Sequence, residues 1–209
     1  ARRATKEANT FFEVVESDAA VLGFDTQQIM DADTMEESAA DAFYTAYRNV
    51  MQATDARATP ALGHLVSEVL FEGYPRDAFF RDAGRVFAEA DGIEWDSLEA
   101  LLSVLRVAAD TPPADYESLI GVRIVDHPEA SGRVLLRGLD SAGGHSRSYW
   151  DAATNAPVRA ALLLLVRHGF AILGGSDNMN VYGATPQGGF ELELDRALRL
   201  EALIRRRTA

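Results

Sequence analysis

The stretch NAPVRAALLLLVRHGFAILGGSDNMNVYGATPQGG, residues 155–189, carries the strongest local structure signals in the chain. Pro157 suits a first helical turn, where a proline loses no hydrogen bond, and Asn155 precedes it as a candidate cap. Residues 160–166 contain no polar side chain, so the pattern predicts a helix that is buried on every side. Gly169 is expected to end this helix, because glycine adopts the left-handed C′ conformation at little steric cost.

Two strand-prone segments follow this helix, at residues 170–173 and 180–185, and turn-forming residues join them. A helix, a hairpin and a further helical pattern after Gly189 resemble the recognition helix and wing of a winged-helix domain. The resemblance covers about a sixth of the chain. It implies a module for nucleic-acid contact or for protein docking, because one fold serves many functions.

The residues that precede this stretch divide into a helical part and a mixed part. Residues 1–112 contain five segments with apolar side chains at helical spacing, which predicts a helical bundle or array. The second segment is expected to begin with a capping box formed by Thr34 and Glu37, and the fifth with a cap at Asp96. The segments lie at about residues 5–22, 34–52, 59–70, 76–90 and 96–105.

After residue 112 the pattern changes to short β-prone runs. Residues 122–125 and 133–136 predict a hairpin, because Pro128 and Gly132 lie between them. Residues 190–194 alternate like a strand, but apolar residues continue at helical spacing, and a helix is predicted for most of this segment. The predicted fold is therefore α+β and helix-dominated, with an acidic helical part, 1–112, and a winged-helix-like α+β part, 113–209, which can also pack as one domain.

The net charge of −12 is unevenly distributed along the sequence. Residues 1–120 carry 9 basic and 23 acidic side chains, a balance of −14, whereas residues 121–209 carry 11 and 9, a balance of +2. An acidic half repels nucleic acid, and the second half permits phosphate contacts. The candidate contacts, to nucleic acid or to a protein partner, are Arg133, Arg137, Arg147, Arg159 and Arg167.

Arg159 and Arg167 are eight residues apart and therefore lie roughly on one helix face. The apolar run between them argues against base recognition, because a recognition helix needs a polar face.

The sequence contains no motif that assigns a catalytic residue, a metal ligand or a cofactor. It has no cysteine, which excludes disulfides, thiolate metal sites and cysteine nucleophiles. Asp31 and Asp33 have the spacing that opens a calcium loop, but the later loop positions do not match. The Gly-rich residues 138–150 suit a flexible connection or a phosphate-contacting loop, and they lack the P-loop and dinucleotide-binding spacings. The four histidines, His64, His127, His145 and His168, belong to no recognised catalytic motif.

The longest apolar run, residues 160–166, is far shorter than the roughly 18 residues that a membrane span needs. The first residues lack a signal-peptide pattern, so a cytoplasmic location without a membrane span is expected. Three functions remain open. The preferred one is a non-catalytic interaction or assembly subunit that binds a protein partner or a second copy through the winged-helix-like part. The alternatives are a nucleic-acid-associated regulator or adaptor that uses the C-terminal half, and an enzyme with a dispersed site.

Overall fold

The structure is a computed structural model, and it describes residues 2–25, 36–110, 122–126, 132–138, 152–174 and 189–206. Within these ranges the chain is helix-dominated α+β, as predicted. By its internal contacts the chain divides into two compact units. Unit 1 comprises residues 1–92 and 202–209, and unit 2 comprises residues 93–201. The predicted division at 112/113 falls outside the described residues and stays a prediction.

Unit 1 is built around one buried helix. Its described residues between 2 and 89 form four helices, α1 (Arg2–Val21), α2 (Glu37–Gln52), α3 (Ala58–Phe71) and α4 (Ala78–Glu89). Helix α3 packs against the other three, and eleven of its residues are buried. Gly63 permits the packing on α1, because a Cβ at this position would lie 2.6 Å from Val14 Cγ1. The helical prediction for this region is therefore confirmed.

Two predicted helix starts in the N-terminal part are wrong. Helix α2 begins at Glu37, and Glu36 precedes it with an extended ψ of 143° and no side-chain cap. A capping box led by Thr34 would require Glu36 to be helical. The helix that was expected to start at Asp96 begins at Gly92, as α5 (Gly92–Asp110), so Asp96 lies inside it. Local cap patterns indicated helices correctly but not their first residues.

The described part of unit 2 contains a four-stranded antiparallel sheet and helices. The strands are β1 (Val122–Asp126), β2 (Arg133–Gly138), β3 (Ala171–Gly174) and β4 (Gly189–Glu193), in the spatial order β1-β2-β4-β3. The predicted β1–β2 hairpin is confirmed, with Val122 opposite Gly138 and Asp126 opposite Val134. Helix α6 (Ala152–Arg167) lies between β2 and β3 in sequence, and α7 (Leu194–Arg205) follows β4.

The helix predicted after Gly189 is wrong for residues 190–193 and confirmed from Leu194 onward. Residues 190–193 belong to β4, which pairs with β2 on one side and with β3 on the other. Phe190 and Leu192 are buried, and Glu191 and Glu193 alternate with them. Pairing with a strand on each side gives the backbone N–H and C=O groups of β4 their hydrogen bonds. The stabilisation from this pairing outweighs the helical propensity of its residues.

The start of α6 differs from its prediction, and its end agrees. The helix begins at Ala152, so Pro157 lies past the first turn and Asn155 is inside the helix. The preceding alanines are strong helix formers that extend it backwards. At its end, Gly169 has a φ of +74°, Gly169 N–H donates to Val166 O, and Phe170 N–H donates to Leu165 O. This pair of bonds is a Schellman motif, which confirms the predicted stop.

The winged-helix resemblance is not confirmed. The strand order β2-β4-β3, with α6 between β2 and β3, gives a helix followed by a hairpin, but β1 extends the sheet beyond that pattern. Residues 139–151 and 175–188, which include the Gly-rich loop and the predicted strand at 180–185, lie outside the described residues. The resemblance therefore stays a prediction.

The charge asymmetry of the sequence does not carry over to the two units. Unit 1 holds 11 basic and 17 acidic side chains, and unit 2 holds 9 and 15, so each has a net charge of −6. The charges of the units differ from those of the sequence halves because α5 and its acidic residues belong to unit 2, whereas the arginines at residues 205–207 belong to unit 1. Unit 2 therefore has no overall positive charge.

Candidate functional site

One face of α6 is exposed and carries a leucine between two arginines. Leu163 is 47% exposed, whereas Leu162, Leu164 and Leu165 are 0% exposed. Arg159 lies four residues before Leu163 and is half-buried, and Arg167 lies four residues after it and is exposed. Because residues four apart share a helix face, these three side chains form one stripe, which we call the docking face.

The prediction that residues 160–166 are buried on every side is wrong at Leu163. A continuous apolar run has no periodicity, so the sequence cannot show which of its residues faces water. The flanking residues did contain the signal, since Arg159 and Arg167 mark the polar direction of the helix at a spacing of eight residues. Leu163 lies midway between them and shares that direction.

The charged side chains of the docking face are in contact with solvent. The Arg167 side chain is 55% exposed, and its Nη2 lies 3.9 Å from Oε1 of Glu94. At this distance and exposure the pair is weak. A helical rise of about 1.5 Å per residue separates the two arginines by roughly 12 Å along the axis.

Two of the other predicted contact residues lie on a strand and not on α6. Arg133 and Arg137 lie on β2, where Arg133 is opposite Glu193 and Arg137 is opposite Arg123. Their side chains lie outside what the structure describes, and Arg147 lies outside the described residues altogether. The structure therefore brings together two of the five arginines, Arg159 and Arg167.

A second polar cluster, in unit 1, was not predicted from the sequence. His64 on α3 and Asp18 on α1 are 0% and 3% exposed, and His64 Nδ1 lies 2.8 Å from Asp18 Oδ2. Among the residues that the structure describes, none provides a hydrogen-bond partner for His64 Nε2. The two residues are 46 positions apart, and Asp18 sits beside the buried residues Val15 and Ala19. Asp18 is an acidic residue within an apolar helix face, and this pattern is the sequence signal that could have indicated a buried partner for its carboxylate.

Arg206 completes this cluster at the end of α7. Its Nε lies 3.5 Å from Asp18 Oδ1, and its Nη1 donates to Glu72 Oε1 at 2.7 Å. The pKa of Asp18 lies below its ordinary value. Burial alone would raise this pKa, but interactions with His64, the charge of Arg206 and a hydrogen bond from Ser67 lower it more. Asp18 is therefore an ionised carboxylate at neutral pH.

The chemistry open to this pair is proton transfer, because a carboxylate that bonds one ring nitrogen of a histidine orients the ring as a base. His64 is fully buried, so a substrate cannot reach its ring in this conformation.

Over the described ranges, no group of three or more His, Asp or Glu side chains is placed to hold a metal ion. None of the helices in these ranges has the length and apolar character to cross a bilayer. No protein-family model, curated protein or solved structure matches this chain. The cytoplasmic location stays a prediction.

Proposed function

We propose that this chain is a non-catalytic protein-interaction subunit that uses the docking face of α6. The observation that carries the proposal is the exposure of Leu163 between Arg159 and Arg167, while the leucines around it are buried. The matching partner is a protein segment that presents an apolar side chain between two carboxylates. Such a segment would cover Leu163 and pair with both guanidinium groups.

The energies show what this face can contribute. Covering the exposed half of a leucine stabilises a complex by roughly 1 kcal/mol, since full burial is worth about 1.5–3 kcal/mol. Each exposed arginine–carboxylate pair adds about 0.2–1 kcal/mol. The sum is below the roughly 4 kcal/mol of a millimolar complex. The docking face is thus the centre of a larger interface, in which a few side chains dominate the affinity.

The nucleic-acid alternative has less support. Arg159 and Arg167 could contact phosphates, but unit 2 carries a net charge of −6, which opposes DNA at long range. Leu163 also occupies the middle of the face, where a hydrogen-bonding side chain would be needed to read a base edge.

The test is affinity capture with matched single-residue variants. The full chain, Leu163→Asp and Tyr44→Asp are used as baits, because Tyr44 in unit 1 is also exposed, at 68%. Circular dichroism establishes that each bait is folded. We expect one protein to be recovered in fixed proportion by the wild type and by Tyr44→Asp, and about tenfold less by Leu163→Asp, which corresponds to roughly 1.4 kcal/mol. The affinity is then measured with the purified partner and with Arg159→Glu and Arg167→Glu.

Equal recovery by Leu163→Asp and Tyr44→Asp would contradict the proposal. Self-association in sedimentation that Leu163→Asp abolishes would identify the partner as a second copy. A labelled DNA duplex is titrated across a salt series in parallel. Tight binding that weakens steeply with salt, is lost in Arg159→Glu and is kept in Leu163→Asp would favour the nucleic-acid alternative.

A further inference from the structure

Helices α1 and α2 of unit 1 carry a cluster of aromatic side chains that is only partly buried. Phe12, Phe43 and Tyr47 are half-buried, and Tyr44 is 68% exposed. The ring centroid of Phe12 lies 5.8 Å from that of Phe43 and 6.0 Å from that of Tyr47. The Tyr44 ring lies 6.2 Å from that of Phe43. We call these four residues the aromatic face.

The two helices of the aromatic face run antiparallel. Near the start of α1, Arg3 Nη2 donates to the carbonyl oxygens of Ala53 and Thr54, just after α2. Further along α1, Phe12 contacts Phe43, which is earlier in α2. The later turns of α1 therefore lie towards the first turns of α2.

Four exposed carboxylates lie at one end of the aromatic face. They are Glu13, Glu16, Glu36 and Glu37. The first two follow Phe12 within about one turn of α1, and the other two precede Phe43 and Tyr44 by about two turns, at the start of α2. Because the helices are antiparallel, both pairs belong to the same end. No other residue that the structure describes forms a hydrogen bond or an ion pair with any of these four side chains.

The arginines of this region do not balance that charge. Arg76 pairs with Asp41, at 2.9 Å between Nη1 and Oδ2. Arg48 follows Tyr44 by about one turn of α2, in the direction away from the four carboxylates. The aromatic face therefore has an acidic end, and the charge that complements this end is positive.

We propose that the aromatic face binds an arginine-bearing segment of a partner protein. A guanidinium group is attracted to the face of an aromatic ring, and it also donates paired hydrogen bonds to a carboxylate. The surface offers both contacts close together, at Phe12 with Glu13 and Glu16. From Glu37 to Tyr47 it extends roughly 15 Å along α2, which suits several side chains of a segment better than one small cation.

This surface is separate from the docking face of α6 and has the opposite charge preference. The docking face presents arginines to carboxylates, whereas the aromatic face presents carboxylates and rings to arginines. The two surfaces also belong to different units, so variants of one leave the side chains of the other unchanged.

The probe for the aromatic face is a fluorescein-labelled peptide of repeated glycine and arginine, titrated with the full chain and followed by fluorescence anisotropy. Tyr44→Leu removes an exposed ring without changing the charge, and it should weaken binding by about two- to fivefold. Phe12→Leu should have an effect of the same size. Tyr74→Leu is the matched control, because Tyr74 is another exposed ring of unit 1, at 42%, and it should bind as the wild type does. Circular dichroism establishes that each variant is folded.

A second pair of variants tests the charge. Glu16→Gln should weaken binding by up to about fivefold, as expected for one exposed arginine–carboxylate pair. Glu89→Gln removes an exposed carboxylate near the opposite end of α2, where Thr54 Oγ1 donates to Ala90 O at 2.8 Å, and it should have a smaller effect. A lysine peptide should bind more weakly than the arginine peptide, because the planar guanidinium stacks on rings. A peptide with uncharged citrulline in place of arginine should not bind.

Wild-type affinity in both folded ring variants, Tyr44→Leu and Phe12→Leu, would overturn the proposal. Equal losses in Glu16→Gln and Glu89→Gln would overturn it as well, because the peptide would then respond to the overall acidity of the chain. Equal binding of the citrulline and arginine peptides would identify an apolar partner instead. Self-association of the chain in sedimentation that Tyr44→Leu abolishes would show that a second copy occupies this surface, which also contradicts the proposal.

Discussion

Two residues of unit 1, Gly63 and Asp18, each support a prediction that depends on a single side chain. Gly63 lies where α3 packs on α1, and a Cβ there would meet Val14 Cγ1 at 2.6 Å and Val14 Cβ at 2.9 Å. Gly63→Ala should destabilise the protein, because overpacking costs about 1–3 kcal/mol and the better helix propensity returns only about 1 kcal/mol. Thermal unfolding followed by circular dichroism measures the difference.

Gly84→Ala is the matched control for Gly63→Ala. A Cβ at Gly84 would lie 2.8 Å from Asn49 Nδ2, the end of a side chain that can rotate away. We expect this variant to keep the wild-type melting temperature or to exceed it. If both alanine variants lost stability equally, close packing of Val14 could not be the cause.

The second residue-scale prediction concerns acid stability. Because the pKa of Asp18 is lowered in the folded state, its contribution to stability is complete above the ordinary aspartate pKa of about 3.9. This contribution is lost as the pH falls through the lower folded value. Arg206→Ala removes a cause of the lowering, so acid unfolding should begin at a higher pH than in the wild type or in Arg205→Ala. Identical acid midpoints, measured by circular dichroism, would contradict this coupling.

Single residues were the hardest features to predict from the sequence. His64 had no candidate partner nearby, because Asp18 is on another helix and the two meet only through packing of α1 on α3. The exposure of Leu163 was not predicted for a different reason, because an unbroken apolar run does not show which side of the helix faces solvent. In both cases the missing information was tertiary.

At the scale of elements, the end of α6 gives a prediction about backbone conformation. Gly169 has a φ of +74°, and no atom of the described residues lies within 4 Å of an added Cβ, so backbone strain is the cost of a side chain that these residues show. Gly169→Ala should cost about 1–2 kcal/mol, the penalty of left-handed backbone for an ordinary residue. Gly169→Asn should cost less, because asparagine tolerates this conformation. Urea unfolding that ranked alanine above asparagine in stability would contradict the C′ assignment.

Elements were predictable where a residue type has a specific backbone requirement. Gly169 ended α6 as expected, and the β1–β2 hairpin has its turn residues in the expected place. Element type failed at β4, where alternation and helical spacing overlap in the same residues. Its assignment depends on β2 and β3 as neighbours on both sides, which local sequence does not specify.

At the scale of the whole molecule, the contacts assign two segments differently from the sequence. Helix α5 belongs to unit 2, where Arg106 pairs with Glu201 at 2.9 Å, and residues 202–206 belong to unit 1. Leu62→Ala in unit 1 and Leu162→Ala in unit 2 each remove a fully buried side chain, at a cost of about 2–5 kcal/mol. Hydrogen exchange should show α5 responding to Leu162→Ala and residues 202–206 responding to Leu62→Ala. The opposite responses would favour the division at 112/113.

The fold class was predictable because composition and periodicity sum over many residues, whereas the unit boundaries depend on long-range contacts that local sequence does not specify. The charge difference between the two halves of the sequence does not hold for the two units, for the same reason. A split at residue 120 separated acids from arginines that the structure combines differently, and the apparent basic half is no longer basic when whole units are counted.

The contact between Gly63 and Val14 also offers a genetic tool. Since a natural domain has only about 5–15 kcal/mol of stability, a net loss of up to about 2 kcal/mol lowers the temperature at which it unfolds. Gly63→Ala would then act as a conditional allele in living cells. Shifting such cells to a higher temperature would lower the amount of folded protein, while its docking face, on the other unit, kept its wild-type sequence.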